Sequence, residues 1–525
     1  MVTSTISRLP LQWQSRLPYA AALLLFIGLA ALWYTPYLGL LPRGIHAWAQ
    51  ADRLALAMSY YDRGMQFFLP RTFNLTSADG IVGVEFPIIA YLAALGGKVL
   101  GRDMVPGLFR AITASIMVAA QWYMFRAVYS RTRHFVAALL PGCFIICSPV
   151  FAYYAGSFQP DPAGASLALI AYFYFLRYFD NRRFQDLAVA LVVFTVATLI
   201  KSSSGIYWVA AVSCTLLWSY FVPQAMTLRQ KLGFLALVAG GAAAIGGYIV
   251  FNKHLNQTYG ATMFFFEAKP IQTEAEYAHV MDRILNYWWG QYLTTFQYGL
   301  LVGAMVLWVV FAKRNVLVHN ILSAQLVLGL AGGFCFFWLM GHQLDVHDYY
   351  VVAPYAPVLV LFVVLAVLNV SSLRVPRWSL SVTMGVLSVA LLVSGFKIYR
   401  NRMAETYPPF SDWYDHQWLN GASEAMAQAK VPANATLLVM NEDPPNLSLI
   451  YFDRRGLTWK PDLNRVQAAE VLQRMDAFAL DHLLLRRPAY ETLRRAQPAL
   501  FNEFDIRVDR PQFVLLHRKN APPHW

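Results

Sequence analysis

Eleven apolar runs, each close to the ~20 residues that carry a helix across a bilayer, dominate this chain and leave few folds open to it. They cover positions 17–34, 108–128, 135–151, 163–179, 187–200, 205–221, 232–251, 298–311, 321–340, 350–370 and 380–396. Scattered glycines and the lack of apolar-polar alternation argue against a membrane barrel, so the spans are helical. With 58% hydrophobic residues, 14% charged residues and a mean hydropathy of +0.42, most of the length cannot be solvated surface. The expectation is a polytopic α-helical membrane protein with about 11 to 13 transmembrane helices.

A formal charge of +13 could suggest nucleic acid, but the basic residues are not gathered into a patch. Arg8 and Arg16 precede the first run. Arg131/Arg133, Arg182/Arg183, Arg229/Lys231, Lys313/Arg314 and Arg374/Arg377 then mark every second connection as cytoplasmic. This pattern places the N-terminus in the cytoplasm. The first run follows a basic segment yet is too long for a signal-peptide core and lacks a convincing cleavage site, so it is expected to stay as an anchor. Cys143, Cys147, Cys214 and Cys335 all fall inside runs, where packing is their expected role and no disulfide framework arises.

The same parity leaves 35–107, 152–162, 201–204, 252–297, 341–349 and everything after about 397 on the outer side. Positions 1–400 form the membrane domain, with long outer loops at 35–107 and 252–297. Within the first loop, Ala47, Ala51, Leu54, Met58, Tyr61 and Met65 share one helical face, which predicts a helix lying along the membrane surface. Positions 86–101 are expected to be interfacial or re-entrant, because counting them as a span would invert every later basic cluster. From 401 to 525 the pattern changes. Thr436–Met440, Asp481–Arg486 and Gln512–His517 have strand character, separated by helical stretches at 464–477 and 489–495, so a small extracytoplasmic α/β domain is expected. The turn-rich Asn441–Asn446 is taken as a plain loop ahead of a ligand edge.

Nearly all the distinctive polar chemistry falls on the outer side. Asp52 follows Trp48 and Gln50 in the predicted loop helix, and Glu85-Phe86-Pro87 comes later in the same loop. A carboxylate held there can take the proton of an attacking hydroxyl, the work of a general base, whereas the plainer role is a solvated helix. Asp161, between Pro160 and Pro162, is expected to cap the helix that follows, with room for a second role; Tyr153, Tyr154 and Gln159 add sugar-type contacts. Lys201 and the serines after it suit a phosphate at headgroup depth, with snorkelling as the alternative. His342, Asp345, His347, Asp348, Tyr349 and Tyr350 form the last cluster. Its spacing fits no zinc pattern, so contact with a polar substrate is preferred to a divalent metal, and no cofactor is expected.

Trp48-Ala-Gln50-Ala-Asp52, Glu85-Phe86-Pro87 and His347-Asp-Tyr349-Tyr350, set in this architecture, resemble the GT-C superfamily of integral-membrane glycosyltransferases. The likeness is to the protein mannosyltransferase and lipid A aminoarabinose transferase group. It implies a polyprenyl-phosphate sugar donor, transfer on the periplasmic face of a bacterial inner membrane, and inversion at the anomeric carbon. Carried over, Asp52 is the base, Asp161 a second acidic residue and Lys201 a donor-phosphate ligand. Trp48, Gln50, Arg53, Glu85, Gln159, His342, His347, Tyr349 and Tyr350 are the substrate-binding candidates. Arg53 replaces the second acid of the Asp-Glu pair found in many mannosyltransferases, so the acceptor, whether lipid A, O-antigen, another glycan or a protein, does not transfer. A transporter or lipid flippase is the alternative, but its expected mark is charge in the middle of spans rather than at their outer ends. A noncatalytic scaffold would bind donor lipid without turnover.

Overall fold

The computed structural model describes residues 11–222, 224, 226–264, 267–311, 316–404 and 416–520, with side chains from residue 16. Arg8, Lys313 and Arg314 of the basic pattern therefore lie outside the described residues. Each of the eleven apolar runs is helical, 135–151 as two helices broken at Ser148. In chain order the membrane part comprises α1 (Leu11–Tyr34), α2 (Ala47–Arg63), α3 (Ile88–Leu100), α4 (Val105–Thr132), α5 (Phe135–Cys147), α6 (Pro149–Ala155), α7 (Asp161–Asn181) and α8 (Phe184–Ile200). It continues with α9 (Gly205–Phe221), α10 (Leu228–Tyr259), α11 (Glu274–Arg283), α12 (Trp289–Tyr292), α13 (Thr295–Val310), α14 (Leu317–Val346), α15 (Val352–Val370) and α16 (Arg377–Met403).

Fewer helices than eleven meet a strict test for crossing a membrane. Among the described residues six are long and apolar enough, or eight if the bent pairs Phe135–Cys147 with Pro149–Ala155 and Glu274–Tyr292 with Thr295–Val310 each count as one span. The first bend follows from Ser148-Pro149: proline starts α6 without needing its missing N–H, and the Ser148 hydroxyl accepts from the Phe151 N–H at 3.3 Å while donating to the Tyr292 carbonyl at 2.8 Å. Helices α8 and α9 have 17 residues each, so each is about 25 Å long. Helix α3, with 13 residues, is too short to span upright and exposes Leu92, Leu95 and Val99 along one side.

The basic connections gather at one end of the bundle. Arg131 donates to Asp180, and His134 Nε2 meets the Arg377 carbonyl at 3.2 Å, which joins the α4–α5 and α7–α8 connections to the start of α16. Cys143, Cys147 and Cys214 are buried, whereas Cys335 is exposed on the outside of α14.

The C-terminal unit contains α17 (Ala422–Gln428), β1 (Thr436–Met440), α18 (Leu447–Phe452), β2 (Arg455–Trp459), α19 (Ala468–Ala477), β3 (His482–Arg486), α20 (Arg487–Ala496), β4 (Phe504–Asp509) and β5 (Phe513–Arg518). Its sheet has the order β2-β1-β3-β5-β4, parallel across β2, β1 and β3 and antiparallel thereafter. Alternation along the strands builds two cores. Leu438, Met440, Leu483 and Leu485 pack with Val471 of α19 and Leu493 of α20, while Leu437, Val439, Leu484 and Leu515 face the other way. That second face continues through Leu447 and Ile450 of α18 into Leu54 and Met58 of α2, so one apolar cluster ties the sheet unit to the first loop.

One expectation changes as a result. Helix α2 does not lie on a surface: twelve of its seventeen residues are buried, because α18 covers one side and α3 and α4 another. Strand β2 is not a free edge either. The Leu75 N–H donates to the Gly456 carbonyl at 2.8 Å, and the Gly456 N–H donates to the Phe73 carbonyl at 3.1 Å, so the first loop pairs with the edge. Only glycine fits at 456, since a Cβ there would collide with the Leu437 carbonyl.

This stitching puts residues 73–79 and the sheet unit on one side of the membrane. In a cysteine-free background, Ala78→Cys and Asp505→Cys should both react with an impermeant maleimide on intact spheroplasts, and Gln185→Cys at the start of α8 should not. Labelling of Gln185→Cys, or protection of Ala78→Cys, would overturn the orientation.

Candidate active site

Asp52 sits one turn into α2 and is only 5% exposed. Its Oδ1 accepts from Asn446 Nδ2 at 2.8 Å, while Oδ2 makes no hydrogen bond among the described residues and is not sealed in. Burial pushes the Asp52 carboxyl up to about 6, partly offset by the Asn446 hydrogen bond and by Arg53 and reinforced by Glu85.

The next residue, Arg53, turns to the loop before α3. Its Nη2 donates to both carboxylate oxygens of Glu85, at 3.0 and 2.8 Å, and its guanidinium lies 4.4 Å from the Phe264 ring centroid. Lys201 Nζ, in the turn between α8 and α9, is 3.0 Å from Asp161 Oδ1 and 3.8 Å from Glu85 Oε1. The ring of Tyr350 lies 4.9 Å from Nζ and that of Tyr349 5.8 Å. Two carboxylates and two cations thus form one connected cluster, and Asp52 feels the charges of Arg53 and Glu85 within it. Burial opposes charge on Glu85, yet Arg53 and Lys201 hold its carboxyl below the usual range; Asp161 and Glu85 likewise outweigh burial and keep Lys201 raised.

Asp161 does not cap α7 through its side chain. Pro160 occupies the N-cap position without a side-chain hydrogen bond, and the Asp161 carboxylate lies within the first turn, turned to Lys201. Gly164, one turn on, admits this approach: a Cβ there would come within 2.9 Å of both Lys201 Cβ and Ser204 Oγ. Arg53 Nε, Gln159 Nε2, Ser203 Oγ and Ser204 Oγ are buried with no hydrogen-bond partner among the described residues. Buried donors are seldom left so, and these four lie on the segments that carry the cluster. A small cavity of about 30 Å³ between Arg53, Glu85, Pro160 and Ile200 has room for a water or two.

Behind Asp52 lies a second buried network that the sequence did not disclose. Arg402, at the end of α16, donates to Asp348 Oδ2 and, at 3.1 Å, to Gln291 Oε1; both Arg402 and Asp348 are fully buried. Asp348 Oδ1 accepts from the Tyr154 hydroxyl at 2.7 Å and lies 3.2 Å from His46 Nδ1. His46 Nε2 donates to the Val346 carbonyl at 2.6 Å, and Nδ1 lies 2.7 Å from the Tyr154 hydroxyl. The His46 and His347 rings stack at 5.7 Å, with Trp48 edge-on to His347 at 5.6 Å and Tyr349 edge-on to His46 at 5.1 Å. This network fixes the entry to α2, where His46 holds a left-handed φ of 53°.

Of the candidates, Asp52, Arg53, Glu85, Asp161, Lys201, Tyr349 and Tyr350 come together, and Trp48 and His347 flank them. Gln50 is spent on structure: its amide donates to the Ile45 and Arg43 carbonyls at 3.0 and 3.3 Å. Tyr153 is spent the same way, donating to the Arg43 carbonyl at 2.9 Å. His342 stands apart, 3.4 Å from Glu276 of α11. Asn446 was missed, and Asn441–Asn446 is more than a plain loop. Among the described residues no group of three His, Cys, Asp or Glu side chains is placed to hold a metal.

Residues 85–246 match the family model for dolichyl-phosphate-mannose-protein mannosyltransferase. The structure of ArnT from Cupriavidus metallidurans bound to undecaprenyl phosphate superimposes with a TM-score of 0.58 at 12% identity, over 95% of this chain and 99% of that one. The fold is ArnT-like. Its apo form gives a TM-score of 0.59 at 11% identity, over 96% of this chain and 99% of that one. The arabinofuranosyltransferase AftD from Mycobacteria gives 0.53 at 13% identity, over 96% of this chain but 40% of the larger protein. No curated protein sequence matches. The GT-C likeness runs through the membrane helices and the C-terminal sheet unit together, and the chain is a multi-span membrane protein.

Proposed function

We propose that this protein is a glycosyltransferase that moves a sugar from a polyprenyl-phosphate donor to an acceptor hydroxyl on the periplasmic face of a bacterial inner membrane, with inversion. The observation that carries this is the pairing, in one buried cluster, of a carboxylate with an unspent oxygen and two cations beside unpartnered donors. The mannosyltransferase family match and the likeness to ArnT bound to undecaprenyl phosphate support it.

The acceptor oxygen attacks the anomeric carbon, forming the new glycosidic bond as the carbon–oxygen bond to phosphate breaks. Asp52 Oδ2 takes the hydroxyl proton, and the leaving phosphate monoester carries the electron pair away. Lys201 and Arg53 stabilise that phosphate, helped by the serine hydroxyls after Lys201. Glu85 and Asp161 hold the two cations in place until the donor arrives. An apolar cavity of about 960 Å³ between α5, α13, α15 and α16, lined by Leu300, Leu307, Val363 and Leu387, suits a lipid chain. Tyr349, Tyr350, His347 and Trp48 offer rings and polar edges to sugar.

Native mass spectrometry of the purified protein should find a co-purifying polyprenyl-phosphate sugar that is consumed on adding acceptor. Donor bound but never consumed, whatever the acceptor, would leave a carrier or scaffold. The pH profile is a further check. A base titrating at about 6 is inactive when protonated, so log kcat/KM should fall with unit slope below about pH 6 and be flat above it. A profile flat down to pH 4.5 would count against Asp52.

A further inference from the structure

We infer that Asn446, brought in by the C-terminal sheet unit, is a positioning residue for Asp52: it holds one carboxylate oxygen and leaves the other for the acceptor hydroxyl. This rests on the assignment of Asp52 as base. Asn446 is fully buried, and its Oδ1 accepts from the backbone N–H groups of Phe73 and Asn74 at 3.1 and 3.0 Å. Both of those partners are donors, so the amide orientation is determined and Nδ2 must face Asp52.

The placement has a local cost. Asn446 is the N-cap residue of α18, a position where asparagine is among the favoured capping side chains, yet it makes no cap hydrogen bond. Its side chain is directed instead at the first loop and Asp52. The surrounding chain is fixed to keep it there: Asn74 Nδ2 donates to the Pro445 carbonyl at 2.8 Å, Pro444 and Pro445 stiffen the approach, and β2 pairs with residues 73–75 just beyond α18.

Asp52 is acted on by Arg53 from its own helix and by Glu85 from the loop before α3, with Lys201 and Asp161 behind Glu85. Asn446 is the neutral donor among them, and its hydrogen bond favours the ionised form that burial disfavours. Proper seating of the sheet unit therefore sets both the aim and the basicity of the carboxylate.

Asn446→Asp in the full-length protein separates this role from a structural one. It keeps an oxygen for the Phe73 and Asn74 N–H groups but puts an acid where the donor stood. The acid limb of kcat/KM should move up by at least about one pH unit, a loss of at least about fivefold at pH 6, with donor binding within about twofold of wild type. Asn446→Ala, which loses both roles, should shift the limb the same way and also lower the melting temperature. An acid limb at the wild-type position in either folded variant overturns the inference. Parallel measurement of Asp52→Asn keeps the two failures apart. Normal transfer by that variant sinks the base assignment itself; an inactive Asp52→Asn beside an unshifted Asn446→Asp sinks only the role of Asn446.

Discussion

Asp52→Asn should lower single-turnover transfer by a factor of roughly 10² to 10⁴ while leaving the protein at least as stable as wild type. The amide keeps the shape of the carboxylate, and its oxygen can still accept from Asn446 Nδ2, but it cannot take a proton. The stability half follows from the sign of the shift. The folded protein raises the carboxyl to about 6, so protons bind the folded state more tightly, and stability falls as pH rises from the ordinary carboxylate value through about 6. At pH 7 the ionised group costs up to about 3 kcal/mol, which the neutral amide recovers. A variant that is both slow and more heat-resistant is the mark of a group kept for chemistry rather than for folding. Near-normal transfer would remove the base assignment; a large drop in melting temperature would show that the carboxylate is needed for structure.

Lys201 presents the opposite balance. Lys201→Met should raise the donor dissociation constant by about 10- to 100-fold, since a hydrogen bond to a charged group is worth about 1.5–3 kcal/mol. It should also destabilise the protein by about 3–5 kcal/mol, because Asp161 is left buried without its cation. The second effect could disguise itself as the first. Adding Asp161→Asn removes the orphaned charge, so the double variant should regain most of the lost stability and none of the lost donor affinity. Titration with polyprenyl phosphate, followed by intrinsic fluorescence, gives the affinity directly. Recovery of donor binding in the double variant would mean that Lys201 serves only Asp161.

The sequence was most informative where structure is decided locally. An apolar run of spanning length has one solution in lipid, and every such run is helical; three strands of the sheet were equally legible from β-rich segments between turn residues. Strands β2 and β4 were not, because glycine and charge interrupt Arg455–Trp459 and three charged residues interrupt Phe504–Asp509. Within the site, Asp52, Glu85, Asp161 and Lys201 stood out as charges beside apolar runs, but their pairings did not. The Asp161 side chain looked like a cap because proline and helix followed it; a cation from another helix was the stronger partner. Asn446 sits in turn chemistry that is normally solvated, and nothing nearby in sequence hints at a carboxylate so far away. Arg402 carried a clue that went unused: an arginine at the end of a span is buried only at great cost without an acidic partner, and Asp348 is that partner.

The contact between Asp52 and Asn446 joins positions 394 residues apart. At synthesis rates of about 5–20 residues per second, roughly 20–80 s pass between the emergence of one and of the other. During that interval α2 lacks the sheet unit's α18, and the β2 edge that the first loop will bind does not yet exist. The hydrogen bond that holds Asp52 is thus completed only after the sheet unit has been made and has folded onto the first loop. Translation order itself delays the seating of this carboxylate: a chain that stops before Asn446 can form every helix of the membrane part and still leave Asp52 without its amide partner.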